Sequence, residues 1–215
     1  MKVEAIYGDR KAPIVVLNTV QGEGRKVYDL VKQSSNKDFT FLGIDGIDWN
    51  HDLSPWDVPP MFPKGESFTA GAKDHLERIT KEILPKIIGD YDLEPEYIML
   101  SGYSLAGLFA IYSMYRTDTF SRIVSASGSL WFPGLMGFVR DNSLMRRPDV
   151  LYLSLGDREA GTRNPVLGKV QENTEQLAKL YSDMGIDTRF ELNPGNHFMN
   201  PEGRMAKGIA YALSR

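Results

Sequence analysis

The run 99-MLSGYSLAGLFA-110 decides how this chain is read. An apolar, strand-like stretch, Tyr97–Ser101, gives way to a helix-like one, Leu105–Tyr115, and Ser104 stands at the junction among small residues. Serine is a preferred helix N-cap and glycines mark turns of every kind, so the junction alone admits an ordinary capping hydroxyl. It equally admits a nucleophile elbow. In that motif a strand, a sharp turn and a helix hold the serine in a strained conformation and push its hydroxyl above the carboxyl edge of the sheet. The chain passes close to itself there, which calls for small neighbours. Gly102 lies two before Ser104, Ala106 two after it, and Gly107 follows. The strict G-x-S-x-G pattern has glycine where this chain has Ala106, so the rest of the sequence must decide.

Around the junction, short β-branched or aromatic runs alternate with longer helical patterns. The expected strands are Val3–Tyr7, Ile14–Leu17, Phe39–Ile44, Tyr97–Leu100, Ile123–Ala126, Val150–Leu155 and Thr188–Leu192. Several are almost continuously apolar, as strands covered on both faces of a parallel sheet must be. Between them, Gly24–Ser35 carries Val27, Leu30 and Val31 at i, i+3, i+4. Ala70–Ile88 carries Ala72, Leu76, Ile79 and Ile83 on one stripe, with Pro85 expected to end or kink it. Asn164 is placed to cap a helix whose face is Leu167, Val170, Thr174, Leu177 and Tyr181. Alternation of this kind predicts an α/β fold: a mostly parallel central sheet with helices on both faces, joined by right-handed crossovers. No linker, composition shift or repeat divides residues 1–215, which are read as one domain. The longest irregular piece, 45-DGIDWNHDLSPWDVPPMFPKGESF-68, holds four prolines and is expected to fold over the working edge of the sheet.

An elbow serine needs a base, and the base an orienting acid. The chain has three histidines. His75 falls among charged neighbours in the 70–88 helix and is read as a solvated surface residue. His51 lies in the long loop, ahead of the strands that would carry the chemistry. His197, in 193-NPGNHFMNPE-202, follows the last strand and precedes the final helix, and it alone satisfies the order Ser, acid, His. The acid should follow the penultimate strand. There 150-VLYLSLG-156 leads into Asp157-Arg158-Glu159, and either carboxylate is within reach of an imidazole.

Bulk properties narrow the classes. Apolar residues at 42% and charged residues at 25% describe a globular chain, and a net charge of −3 offers no basic face for nucleic acid. No basic amphipathic stretch points to a membrane surface and no apolar run reaches the length of a membrane span. The absence of cysteine excludes disulfides, thiolate metal sites and thiol nucleophiles. The opening MKVEAIYGDRKAP lacks a continuous apolar segment of signal-peptide length, so a cytoplasmic location is expected.

Taken together, GYSLAG, the late LSLGDRE and PGNHF, and the segment DWNHDLSPW resemble the Putative esterase branch of the α/β-hydrolase superfamily, similar to enterochelin esterases, feruloyl esterases and esterase D. The resemblance spans nearly the whole chain and implies the α/β-hydrolase fold. The family's acid commonly stands three after the glycine that ends its strand. That spacing maps onto Gly156 and Glu159, and favours Glu159 over Asp157. The first oxyanion donor would be the backbone N–H of Leu105, at the positive end of the following helix. The second would come from the loop after an early strand. There the family often has His-Gly-x-Gly, whereas this chain has 17-LNTVQGEG-24, leaving Val20 or Thr19 as the amide, with Val20 carried forward. The turn QGEG lacks the lysine and spacing of a phosphate-binding P-loop.

The expected reaction is cleavage of a small-molecule carboxylic ester through an acyl-enzyme on Ser104, with His197 as base and Glu159 as orienting acid, and with no metal or organic cofactor. Trp49 and Trp56 of the long loop and Trp131-Phe132 of 127-SGSLWFP-133 are candidates for an aromatic wall, Trp56 and Trp131 being taken as substrate-binding. The chain leaves little room for a separate lid domain, which favours an open cleft. Two other readings use the same fold: transfer of the acyl group to an alcohol or sugar, and a non-catalytic binding module.

Overall fold

A computed structural model describes residues 1–20, 22–61 and 64–215. The seven apolar runs form one sheet: β1 (Lys2–Ile6), β2 (Ile14–Asn18), β3 (Thr40–Asp45), β4 (Ile98–Tyr103), β5 (Arg122–Ala126), β6 (Val150–Gly156) and β7 (Asp187–Asn193). Their spatial order is β1-β3-β2-β4-β5-β6-β7. Among the described residues of the sheet only β1 runs antiparallel, against β3; every other pair is parallel. This is the α/β-hydrolase-type arrangement the strand–helix alternation predicts.

Period-2 geometry explains why the strands read as unbroken apolar runs. In β2, Ile14 and Val16 belong to one core, while Val15 and Leu17 belong to the other, on the opposite face. The second core is closed by α1 (Gly24–Ser34) and α8 (Pro201–Leu213). The first is closed by α3 (Ala72–Arg78), α5 (Leu105–Ser113), α6 (Leu135–Asp141) and α7 (Val170–Asp183). Every residue of α5 is buried, which is why it is apolar on all sides.

Three local outcomes refine the sequence reading. Pro85 does not end its helix: a π-helical stretch, Ile79–Ile83, widens the turn ahead of it, and α4 (Leu84–Asp90) continues with Pro85 in its first turn. The wider π turn gives the proline ring room that a regular α turn, with its carbonyl four residues back, would not. Asn164 does cap: its Oδ1 accepts from the N–H groups of Val166 (3.0 Å) and Leu167 (3.4 Å), starting the 3₁₀ turn Leu167–Lys169 that feeds α7. The segment 45–68 is not without structure. It contains α2 (Trp49–Asp52), whose start is capped by Asp48, and a bridge between Val58 and Phe68. Phe62 and Pro63 of that segment, and Gln21 of QGEG, lie outside the described residues. Among the described residues no helix is long and apolar enough to cross a membrane.

His75 is the clear correction. It is 1% exposed, with Nε2 2.8 Å from Asn18 Oδ1 and its ring against Phe109. Its charged sequence neighbours turn to solvent on one side of α3, while His75 faces the sheet beside Leu76. Helical rotation, not local composition, sets which side a residue faces.

Candidate active site

Chain order makes the site. The connection from β2 runs outward to β3 and the connection from β3 returns to β4, so the loops leaving β2 and β4 part in opposite directions. Open α/β sheets bind ligands in the crevice at such a switch point, beyond the carboxyl ends of the strands. Ser104 leaves β4 at that place.

Its backbone adopts φ 56°, ψ −121°, a conformation that costs a non-glycine residue free energy and persists only when the surroundings enforce it. The enforcement is visible. Ser104 N–H donates to Ala126 O (3.3 Å), and Ser104 O accepts from Gly107 (3.0 Å), Leu108 (3.2 Å) and Ser129 (2.9 Å). A Cβ on Gly102 would run into the Ala106 carbonyl, so that position requires glycine, whereas Ala106 itself fits with full burial. The side chain makes no capping hydrogen bond to α5. The hydroxyl instead lies 3.1 Å from His197 Nε2 and 3.4 Å from Ser129 Oγ.

The other end of the imidazole meets Glu159: Nδ1 to Oε2 is 2.8 Å. The Glu159 side chain is only 4% exposed. Burial pushes its carboxyl pKa up, but hydrogen bonds from His197, the Gly156 N–H (2.6 Å) and Ser127 Oγ (2.7 Å) outweigh that and hold it below the ordinary value. Asp157, two residues earlier, turns elsewhere. It accepts from the Gly195 N–H at 2.8 Å, tying the loop after β6 to the loop that carries His197. The two carboxylates therefore differ in what they hold: Glu159 the ring, Asp157 the backbone.

Leu105 opens α5, so its N–H has no carbonyl one turn back to bond. Of the two early-loop amides, that of Thr19 is taken by Ile44 O at 2.8 Å, extending the β2–β3 pairing. Val20 is exposed, and its N–H donates to Glu23 Oε1 at 2.9 Å.

Two cavities meet at Ser104, His197 and Phe198. One, of about 500 Å³, is lined by Trp131, Ser129, Arg158, Thr162 and Leu167. The other, of about 630 Å³, is lined by Trp49, Tyr103, Val20, Glu23 and Met205. Trp131 and Trp49 thus face the site. Trp56 does not line either cavity: its indole N–H donates to Pro133 O at 2.7 Å and its ring packs on Phe132 and Phe138. Phe132 is itself buried in the core. His51 stays apart, its Nδ1 2.8 Å from Thr69 Oγ1.

Sequence reading passed over several residues here. Phe198, beside His197, is 85% exposed and stands between the cavities. Tyr103 O–H donates to the His197 carbonyl at 2.6 Å. Arg204 is buried against Glu159. A signal for Arg204 exists in hindsight: it stands one turn before Gly208, beside the buried stripe Met205, Ile209 and Ala212 of α8.

A family model described as "Putative esterase" matches residues 20–197. The uncharacterized protein YbbA of Bacillus subtilis (strain 168) is 21% identical over 158 residues, covering 72% of this chain and 63% of its own length, so the chain spans less than two thirds of that relative. Among solved structures, the siderophore hydrolase EstA from Aspergillus nidulans superposes with a TM-score of 0.74 at 18% identity, over 95% of this chain and 83% of the other. An IroE-like serine hydrolase from Shewanella oneidensis gives 0.78 at 16% identity, over 99% and 75%. At these identities the structures establish a shared fold.

Proposed function

Because this chain belongs to the Putative esterase family, we propose that it hydrolyses carboxylic esters through an acyl-enzyme on Ser104, with His197 as base and Glu159 as the orienting acid. One observation carries the proposal: the unbroken line from Ser104 Oγ to His197 Nε2 (3.1 Å) and from Nδ1 to a buried Glu159 (2.8 Å). His197 takes the Ser104 proton as the hydroxyl attacks the ester carbonyl. The tetrahedral oxyanion is held by the Leu105 N–H and by Val20 once its amide is released from Glu23. Glu159 fixes the tautomer with Nδ1–H and stabilises the imidazolium, which then protonates the leaving alcohol. A water activated by the same imidazole hydrolyses the acyl-enzyme. No step calls for a metal or an organic cofactor.

The cavities support an ester with a substantial group on each side of the scissile bond. Each is in the size range of small-molecule sites, and the reacting atoms lie where they join. The Aspergillus nidulans relative is named a siderophore hydrolase, which makes siderophore esters one class to test. Hydrolysis is favoured over acyl transfer because the His197 side chain is 29% exposed and the neighbouring Phe198 stands in solvent, so water reaches the acyl-enzyme.

The test is a panel of esters running from p-nitrophenyl acetate to aryl, sugar and siderophore esters, with Ser104→Ala beside wild type. Ser104→Ala should lose about 10⁴-fold or more of kcat/KM and all labelling by a fluorophosphonate. Full activity in that variant would remove Ser104 from the mechanism.

A further inference from the structure

Glu159 has two oxygens with different partners. Among the described residues Oε2 meets His197 alone, whereas Oε1 accepts from Ser127 Oγ, the Gly156 N–H and Arg204 Nη1 (3.0 Å). Arg204 is 3% exposed and is the only arginine or lysine that is buried among the described residues. Burying a cation is costly unless its charge is matched, and here Glu159 supplies the opposite charge. Beyond Glu159, Nη1 donates to Ser127 Oγ (3.0 Å), and Nη2 donates to Pro194 O (2.9 Å) at the start of the loop that carries His197. One side chain on α8 therefore spans the acid, the turn after β5 and the histidine loop. Gly156 is part of this arrangement, because a Cβ there would run into the Gly195 carbonyl and press on the guanidinium.

Resting on the reading of Ser104, His197 and Glu159 given above, we propose that Arg204 is the positioning residue of the site: its guanidinium engages Glu159 Oε1 and Pro194 O so that Oε2 is left to His197 and the imidazole is aimed at Ser104. It touches no reacting atom. It acts in two ways. The planar fork fixes the separation of the acid and the histidine loop, which a point-charge ammonium does not reproduce. Its positive charge also engages the carboxylate that would otherwise serve the imidazolium alone. The other charged groups around His197 are Glu159 and Arg158 from the loop after β6, Glu202 on α8 and Glu23 at the head of α1. Arg158 is largely exposed, and Glu202 is paired with Lys26. Tyr103, from the end of β4, faces the ring as a neutral phenol.

The experiment is the pH dependence of kcat/KM for p-nitrophenyl acetate in wild type, Arg204→Lys, Arg204→Met and Ser104→Ala, with fluorophosphonate labelling and thermal unfolding of each. Arg204→Met should lose about 100-fold in kcat/KM and move the acid limb of the profile to higher pH by about one unit, because the carboxylate then serves the imidazolium alone. Arg204→Lys should keep the wild-type acid limb and lose about tenfold in kcat, with KM unchanged. A general loosening of the fold would lower rates without moving the limb. An unmoved limb in folded Arg204→Met, or wild-type kcat in Arg204→Lys, overturns the proposal, and the lysine variant decides alone if the methionine variant does not fold. Ser104→Ala separates the two readings. If it stays active, the nucleophile is wrong; if it is inactive while the arginine variants behave as wild type, only the role of Arg204 is wrong.

Discussion

The Val20 N–H donates to Glu23 Oε1 at 2.9 Å, so the early-loop amide proposed as second oxyanion donor holds a carboxylate before substrate arrives. An oxyanion must take that place, close to a second negative charge. Glu23→Gln keeps an oxygen that can accept from Val20 but removes the charge. Relief of about 1 kcal/mol of like-charge repulsion predicts a rise of about fivefold in kcat/KM. Steady-state kinetics on one ester checks it, and an unchanged value would take Val20 out of the oxyanion site.

The acids at 157 and 159 separate by mutation. Glu159→Gln leaves the shape but presents an amide to His197 and upsets its tautomer, and a loss of about 10³- to 10⁴-fold in kcat is expected, as for the aspartate of Ser-His-Asp enzymes. Asp157→Asn keeps an oxygen for the Gly195 N–H and should stay within about threefold of wild type. The reverse ranking would assign the acid to Asp157.

Trp56 and Trp131 make opposite predictions. Trp131 lines a cavity, so Trp131→Ala should raise KM for a bulky ester by about tenfold, the equivalent of about 1.4 kcal/mol of lost contact. Trp56 packs on Phe132 and Phe138, so Trp56→Ala should cost about 3 kcal/mol of stability and leave KM nearly unchanged in the folded fraction.

His75 gives the protein an acid sensitivity unrelated to the reaction. Burial lowers its pKa from 6.5 to about 4, with nearby Arg78 adding to the effect and Asp52 opposing it. Between those values the unfolded chain binds a proton that the folded chain refuses. Stability is therefore full above pH 6.5 and falls as the pH drops towards 4, by about 3 kcal/mol in total. Denaturant melts of His75→Gln should show a smaller loss over that window than wild type.

Gly102→Ala tests the elbow's packing. The added methyl meets the Ala106 carbonyl within the turn, and overpacking of this kind costs about 1–3 kcal/mol. The turn must open to accept it, so fluorophosphonate labelling of Ser104 should slow sharply even where the variant remains folded by circular dichroism.

What the chain by itself determined is the part written in local periodicity and order. Unbroken apolar runs such as Ile14–Leu17 and Val150–Leu155 marked strands covered on both faces, and the small residues around Ser104 marked a tight strand-to-helix turn that admits a nucleophile elbow. The order of Ser104, Glu159 and His197 followed from the order of the strands that carry them. What only the tertiary structure decided are facts of direction. Local pattern does not separate Glu159 from Asp157, and only the family's spacing favours Glu159, whereas the turn after β6 aims one at the ring and the other at Gly195. His75 reads as a surface residue by its neighbours and Trp56 as a candidate for the substrate wall, yet the rotation of α3 and the fold of the long loop bury one and pack the other on Phe132 and Phe138. Arg204 lies 45 residues beyond Glu159 and has meaning only because α8 returns across the sheet to meet it. Side-chain direction depends on the rotation of each element about its own axis and on contacts far apart in the chain, and neither is encoded in a window of a dozen residues.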